Sequence, residues 1–131
     1  MVPVMTTIDL DSQMVRDAIE SEEGILLIDF WASWCGPCRM FAPVYEEVSQ
    51  DYPEITFGKV DTQAEQGLAS SFGIRSIPTL MLFRDGVLLF NRAGMIPEEA
   101  LRDLITQAKA LDMDEVRRKV ADQEGASAPP S

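Results

Sequence analysis

Trp34-Cys35-Gly36-Pro37-Cys38 holds both cysteines of this 131-residue chain. The apolar run Ile25-Leu26-Leu27-Ile28-Asp29-Phe30 precedes it, and a helix-like apolar pattern follows it at Met40, Phe41, Val44 and Val48. A cysteine pair between a strand and a helix start is placed for thiol–disulfide exchange, because the free N–H groups and partial positive charge of a helix N-terminus favour a thiolate. Only the thiolate attacks a disulfide, so this position makes Cys35 reactive at neutral pH.

Three other interpretations of the pair fit less well. A structural zinc site needs four Cys or His ligands, and this chain has two cysteines and no histidine, which leaves only a site or cluster shared across a dimer. A purely structural disulfide gains stability with the length of the loop that it closes, and a two-residue gap closes almost the smallest loop. Two inert buried thiols would not need Gly36-Pro37 between them. The sequence therefore favours a redox-active pair.

The overall composition limits the cellular setting and the partners. Hydrophobic residues make up 46% of the chain and charged residues 25%, which suits one soluble domain with a core. The net charge of −11 argues against nucleic acid and anionic membranes as partners, since both select basic patches. The N-terminus, with Met1 or Met5 as the start, lacks the basic and long apolar segments of a signal peptide. A cysteine pair without such a signal predicts a cytoplasmic location.

Turn and capping residues divide the chain into alternating strands and helices. Strands are predicted at 6–10, 25–30, 55–61, 79–83 and 87–92, and helices at 12–20, 36–51, 62–73 and 97–111. The third helix would open on a capping box at Thr62-Gln63-Ala64-Glu65, and Asp85-Gly86 predicts an antiparallel hairpin between the last two strands. The order β-α-β-α-β-α-β-β-α predicts an α/β sandwich with a mixed sheet.

The last core helix marks the predicted end of the domain. Pro97 is expected at its first helical position, and its buried stripe is Leu101, Leu104, Ile105, Ala108 and Leu111. Residues 1–111 are thus predicted as one domain and 112–131 as a C-terminal extension. In the extension, Asp112 or Asp114 would cap a short helix with the pairs Asp114/Arg118 and Glu115/Lys119, and residues 121–131 are expected to be disordered.

Several motifs, in order and at close to the expected spacing, resemble the thioredoxin family. They are Asp29-Phe30-Trp31-Ala32-Ser33 running into Trp34–Cys38, Phe41-Ala42-Pro43, Lys59-Val60-Asp61, Gly73 to Thr79, and Ala93-Gly94. The resemblance covers about Thr6 to Leu111 and implies the thioredoxin fold, a three-layer α/β/α sandwich around a central mixed sheet. It also implies a monomeric protein-disulfide reductase, recharged by a thioredoxin reductase that uses NADPH, acting on disulfide-bearing proteins without a bound cofactor or metal.

The resemblance further implies roles for the reacting residues. Cys35 would be the exposed nucleophile, and Cys38 the buried thiol that resolves the mixed disulfide. Asp29 lies in an apolar strand where an ionised carboxylate is costly to bury, so burial should raise its pKa and suit it as the base that deprotonates Cys38 through a water. Lys59, on the neighbouring strand, would tune this acid.

The same resemblance places the substrate around the cysteines. Gly36 allows the tight bend and Pro37 stiffens it. Pro78 is expected in the cis form beside the disulfide, and the backbone of Ile77 would pair with an extended substrate segment. Together with Ile77, a flat apolar docking surface is expected from Trp34, Ala93 and Gly94.

Two alternative functions stay open on the sequence alone. A disulfide isomerase or oxidase is one, although its relatives carry His in place of Pro37 and this chain has no histidine. A redox-independent binding or chaperone module is the other. The substitution Cys35→Ser separates the binding role from a reductase, because a binding role would survive the change and a reductase would not.

Overall fold

In the computed structural model, residues 5–127 are described, with side chains for residues 5–123. One five-stranded sheet has the order β1-β3-β2-β4-β5, where the strands are β1 (Thr7–Asp9), β2 (Ile25–Trp31), β3 (Thr56–Asp61), β4 (Thr79–Arg84) and β5 (Val87–Ala93). The first three pair in parallel, whereas β4 is antiparallel to β2 and β5 is antiparallel to β4. The predicted α/β architecture with a mixed sheet is confirmed.

Helices cover both faces of the sheet. They are α1 (Ser12–Glu20), α2 (Gly36–Gln50), α3 (Gln66–Ser71), α4 (Glu98–Ala110) and α5 (Met113–Ser127). Leu27 packs in a core with α2 and α4, whereas Leu26, Ile28 and Phe30 pack in a second core with α1 and α3. Because β2 is buried on both faces, its sequence is a near-continuous apolar run.

Three local structures form as the sequence predicts, at the starts of two helices and at one hairpin. The Asp11 carboxylate caps α1 by accepting a hydrogen bond of 2.8 Å from the Met14 N–H. Asp85 and Gly86 adopt φ angles of 51° and 81°, the left-handed conformation that a tight hairpin between twisted strands requires. The Asp112 carboxylate accepts from the Asp114 N–H at 3.0 Å and so begins α5.

Three predicted details are wrong. Thr62 does not cap α3, because its hydroxyl donates to the Trp31 carbonyl at 3.0 Å, and the helix begins later at Gln66 after an uncapped Glu65. Pro97 is the N-cap of α4 rather than its first helical residue. Leu111 is 41% exposed and does not continue the buried stripe, because α4 ends at Ala110 and Leu111 has an extended backbone conformation.

The extension differs most from its prediction. Helix α5 runs to Ser127, so the disorder expected from Ala121 onward is wrong for residues 121–127, and the expectation for 128–131 lies outside the described residues, as does Met1. The predicted pair Glu115–Lys119 forms at 3.3 Å, but Asp114 pairs with Arg117 instead of Arg118.

Helix α5 is attached at the hairpin end of the sheet. Met113 is 7% exposed, and the Arg117 guanidinium lies 3.7 Å from the carboxylate of Asp85. Arg84 ties the end of α4 to the same region by donating to the carbonyls of Ala108 at 2.6 Å and Leu111 at 2.8 Å. The extension therefore packs at the far end of β4 from Pro78. Within the part of the chain that the structure describes, no helix has the length and apolar character needed to cross a membrane.

Candidate active site

A disulfide joins Cys35 and Cys38 where β2 gives way to α2. Cys35 is the N-cap of α2, and its sulfur accepts a hydrogen bond of 3.2 Å from the Cys38 N–H. Gly36 and Pro37 occupy the first two helical positions, where the missing proline N–H costs no helical hydrogen bond. The two Cα atoms are 5.2 Å apart, within the normal range for a disulfide. The sequence thus places the Cys35 sulfur at the N-terminus of α2, where the backbone N–H groups have no partner within the helix.

Cys35 is less accessible than predicted. It is 4% exposed and Cys38 is 3% exposed, so the expectation of an exposed Cys35 is wrong for this disulfide form. The two cysteines pack with Ala32 against the side chains of Trp31 and Ile77, and the Ile77 carbonyl lies 3.7 Å from the Cys35 sulfur. Packing of Cys35 in this cluster explains the difference, because the neighbouring side chains cover it.

Asp29 lies on the face of β2 that carries α2, the helix that begins after Cys35. Its side chain is 0% exposed, and neither carboxylate oxygen has a hydrogen-bond partner among the described residues. Burial raises the pKa of Asp29 from 3.8 to about 7, and the positive charge of Lys59 holds it from rising further. The prediction that burial raises this pKa is confirmed. The Asp29 carboxyl group can therefore take up or release a proton near neutral pH.

Lys59 adjoins Asp29 across the parallel pair of β2 and β3, in register with it. Its ammonium group lies 5.1 Å from the centroid of the Trp31 ring, in a cation–π contact. A cavity of about 110 Å³ reaches from Lys59 and Trp31 to Cys38. The Trp31 indole N–H is buried and has no partner among the described residues. A cavity of this size has room for a water molecule beside Cys38 and the Trp31 N–H, and its lining includes Lys59 but not Asp29.

The loop before β4 completes the site. Ile77-Pro78 is a cis peptide bond, as predicted, and the Pro78 carbonyl accepts a hydrogen bond of 2.8 Å from the Gly94 N–H. Thr79 is in register with Ala93, so the end of β5 is held next to the start of β4. Trp34, which is 64% exposed, lies on the same surface as the half-buried Ile77. The structure brings together the predicted docking residues from three separate segments.

Sequence reasoning missed Arg39. Its guanidinium donates to the Ser33 carbonyl at 3.0 Å, and its side chain lines the cavity beside Cys38. A signal was present, because a cation in the first turn of a helix is disfavoured by the helix dipole and therefore needs another partner. Arg39 thus fastens the loop that carries the disulfide.

Metal binding has no support in the described part of the chain. No group of three or more His, Cys, Asp or Glu side chains there is arranged to hold an ion. The chemistry that the geometry does support is exchange at the Cys35–Cys38 disulfide with a buried acid nearby.

Comparison with known proteins agrees with this geometry. A family model described as Thioredoxin matches residues 6–107. The chain belongs to the thioredoxin family. A Streptomyces coelicolor protein whose name contains "thioredoxin 2" is 50% identical over 119 residues, which are 91% of this chain and 88% of that protein. The thioredoxin of Bacillus subtilis is 43% identical over 89 residues, 67% of this chain and 86% of its own length.

A solved thioredoxin structure shows the same fold. A mutant thioredoxin from Halobacterium salinarum superimposes with a TM-score of 0.73 at 34% identity, covering 86% of this chain and 99% of that one. The thioredoxin fold expected from the sequence is confirmed, and the chain is a thiol–disulfide oxidoreductase. The Streptomyces match is 119 residues long, so it ends at residue 119 or later and includes the start of α5.

Proposed function

We propose that this protein reduces disulfides in other proteins, with Cys35 as the nucleophile and Cys38 as the resolving thiol. The observation that carries the proposal is the position of the Cys35 sulfur as N-cap of α2, where the Cys38 N–H donates to it. The same N–H and the positive end of the helix stabilise a Cys35 thiolate once the disulfide is reduced.

The reaction proceeds in two exchange steps. The Cys35 thiolate attacks one sulfur of the substrate disulfide; that bond breaks, and the other substrate sulfur leaves as a thiolate. The Cys38 thiolate then attacks the Cys35 sulfur of the mixed disulfide and expels the second substrate thiolate. Two electrons pass from the dithiol to the substrate, and the Cys35–Cys38 disulfide is formed again.

Asp29 acts as the base for the second step. Cys38 is 3% exposed, so it cannot readily lose its proton to bulk solvent. A carboxyl group with a pKa of about 7 can accept that proton at neutral pH, and the cavity beside Cys38 and Lys59 provides a place for a connecting water. The positive charge of Lys59 lowers the pKa of Asp29, so that enough of its carboxyl group is ionised at neutral pH to accept the proton.

The substrate lies across Trp34, Pro37, Ile77, Ala93 and Gly94. Trp34, Pro37, Ala93 and Gly94 are exposed, and the Ile77 carbonyl lies 3.7 Å from the Cys35 sulfur. An extended segment of the substrate pairs with the Ile77 backbone as an added strand, which brings its disulfide to Cys35. Gly36 keeps the loop tight against that segment.

The wider cycle belongs to the same proposal. The protein works in the cytoplasm as a monomer without a bound cofactor, and a thioredoxin reductase returns it to the dithiol with electrons from NADPH. Support comes from the family and from the cytosol's reducing poise, which suits a dithiol carrier. Catalytic turnover in a mixture of NADPH, a thioredoxin reductase and a disulfide-bonded test protein checks the recharging step.

Two serine variants test the order of the steps. With Cys38→Ser, a covalent complex with the test protein should accumulate, because the first step proceeds and the second cannot. With Cys35→Ser, neither complex nor turnover should appear. A complex that forms through Cys38 in the Cys35→Ser protein would reverse the assignment. If the wild-type protein gave neither turnover nor, with Cys38→Ser, a covalent complex, only a binding role would remain.

A further inference from the structure

A groove of about 390 Å³ opens beside the disulfide, between Trp34 and α3. Its apolar side includes Trp34, Ile74 and Ile77, and its polar side includes Gln66, Ser70 and Arg75. Ile77 is shared with the reacting centre, because its carbonyl lies 3.7 Å from the Cys35 sulfur. A side chain that enters this groove therefore belongs to the segment that carries the attacked disulfide.

The charge of the groove is opposite to that of the protein. Arg75 is its one charged lining residue in the described part of the chain, and no carboxylate lines it. Arg75 is exposed and takes part in no ion pair or hydrogen bond among the described residues. In a chain with 22 acidic and 11 basic residues, an unpaired cation next to the active site is a distinct feature.

A second cleft on the other side of residues 61–66 has the reverse character. It has a volume of about 460 Å³ and is lined by Lys59 and by four carboxylate side chains, those of Asp9, Asp11, Asp61 and Glu65. Thr62 and Gln66 face the first groove instead. An acidic side chain near the disulfide would be repelled from the cleft and would meet a cation in the groove.

We propose that this groove selects substrates with an acidic side chain next to the attacked cysteine, through an ion pair between that carboxylate and Arg75. The proposal rests on the proposed function and adds a substrate preference to it. Arg75 lies two positions before Ile77, whose carbonyl is 3.7 Å from the Cys35 sulfur. An extended substrate segment advances about 3.3 Å per residue, so about two of its residues span the same stretch. The aliphatic part of such a side chain packs on Ile74 and Trp34, while its carboxylate reaches the guanidinium.

The expected preference is modest and depends on salt. One exposed ion pair corresponds to a rate difference of about two- to fivefold. Because the screening length falls from ~10 Å at 0.1 M salt to ~3 Å at 1 M, the preference should approach onefold at 1 M salt.

The test uses oxidised peptides that differ only by Glu, Gln or Lys at each of the two positions on either side of the attacked cysteine. The full-length protein in its dithiol form is mixed with each peptide, and the second-order rate constant is measured from the reduced peptide that appears. At one position or more, the Glu peptide should react about two- to fivefold faster than the Lys peptide. The variant R75E should reverse the order, and Arg75→Lys should keep it.

The Gln peptide and a second charge variant supply the controls. The variant R118E changes the net charge equally but lies on α5, at the far end of the sheet, so it should keep the wild-type preference. Equal Glu and Lys rates at every position, with the Gln peptide reduced normally, would overturn the groove proposal alone. Failure to reduce even the Gln peptide would instead overturn the proposed reductase function. A shift of the preference in R118E equal to that in R75E would show that net charge, and not Arg75, sets it.

Discussion

Replacement of Asp29 by Asn should make the oxidised protein more stable at neutral and alkaline pH, and not at acidic pH. The pKa of Asp29 is about 7 in the folded protein and 3.8 as the ordinary value, so the unfolded chain releases this proton at lower pH than the folded one. Between those two values the folded state binds one more proton, so the stability of the wild type falls as the pH rises. One pKa unit corresponds to about 1.36 kcal/mol, and the full loss is therefore about 4 kcal/mol above pH 7.

Asn imitates the protonated acid in shape and charge, which makes the comparison clean. Urea unfolding of both oxidised proteins should give similar free energies near pH 4 and a gap of about 4 kcal/mol in favour of Asp29→Asn near pH 8. Asp17→Asn, on the exposed face of α1, is the matched control and should show no such gap. A constant difference between wild type and Asp29→Asn across this pH range would refute the buried, unpaired acid.

The same variant tests the catalytic role of the acid. In turnover, Asp29→Asn should slow release of the mixed disulfide by about 10- to 100-fold at pH 7; unchanged turnover would remove Asp29 as the base.

Three further changes test contacts of the fold outside the reacting centre. Glu46→Ala should cost about 1–3 kcal/mol at pH 7, measured by urea unfolding, because the Glu46 carboxylate accepts hydrogen bonds from the N–H and hydroxyl groups of Thr6 and Thr7. Burial raises the pKa of Glu46, but these hydrogen bonds together lower it below its ordinary value. The loss of stability caused by Glu46→Ala should therefore shrink as the pH falls through that pKa. A loss of stability that does not change with pH would contradict the role of these bonds. Gly58→Ala should destabilise by about 1–3 kcal/mol, since the new Cβ would collide with the Leu10 side chain, whereas Gly67→Ala, with nothing within 4 Å, should not; equal effects would argue against the collision. Removal of residues 112–131 should lower the melting temperature, because the packing that buries Met113 is lost, and it should leave disulfide reduction unchanged. A large loss of activity in the folded, truncated protein would show that α5 contributes to the site.

The reacting centre could be predicted from the sequence because its signals are local. For a cysteine pair at a strand-to-helix junction, the neighbouring residues favour redox chemistry over the other interpretations, and an acid within an apolar strand is expected to be buried. Asp29 was expected to be buried with a raised pKa, and the structure confirms both. The hairpin at Asp85-Gly86 follows for the same reason, since two adjacent residues suffice to specify it.

Details that depend on tertiary contacts could not be predicted in this way. Thr62 fits a capping box, but the nearby Trp31 carbonyl takes its hydroxyl instead. Leu111 continues the helical period of α4, but the helix ends at Ala110 and Leu111 is left 41% exposed. The groove at Arg75 combines residues of the active-site loop, α3 and the segment before Pro78, and no single stretch of sequence contains that pattern.

The reduction potential of the Cys35–Cys38 pair is the most direct test of the proposed function. The protein is equilibrated in graded glutathione buffers, and free thiols are counted at each ratio; about 30 mV corresponds to ~1.4 kcal/mol for this two-electron couple, so the position is sharply defined. A reductase should have a potential more negative than that of the cytosolic glutathione pool, about −220 to −260 mV by extraction. A value near −180 mV or higher, the range of isomerases and oxidases, would contradict a reductase despite Gly36-Pro37.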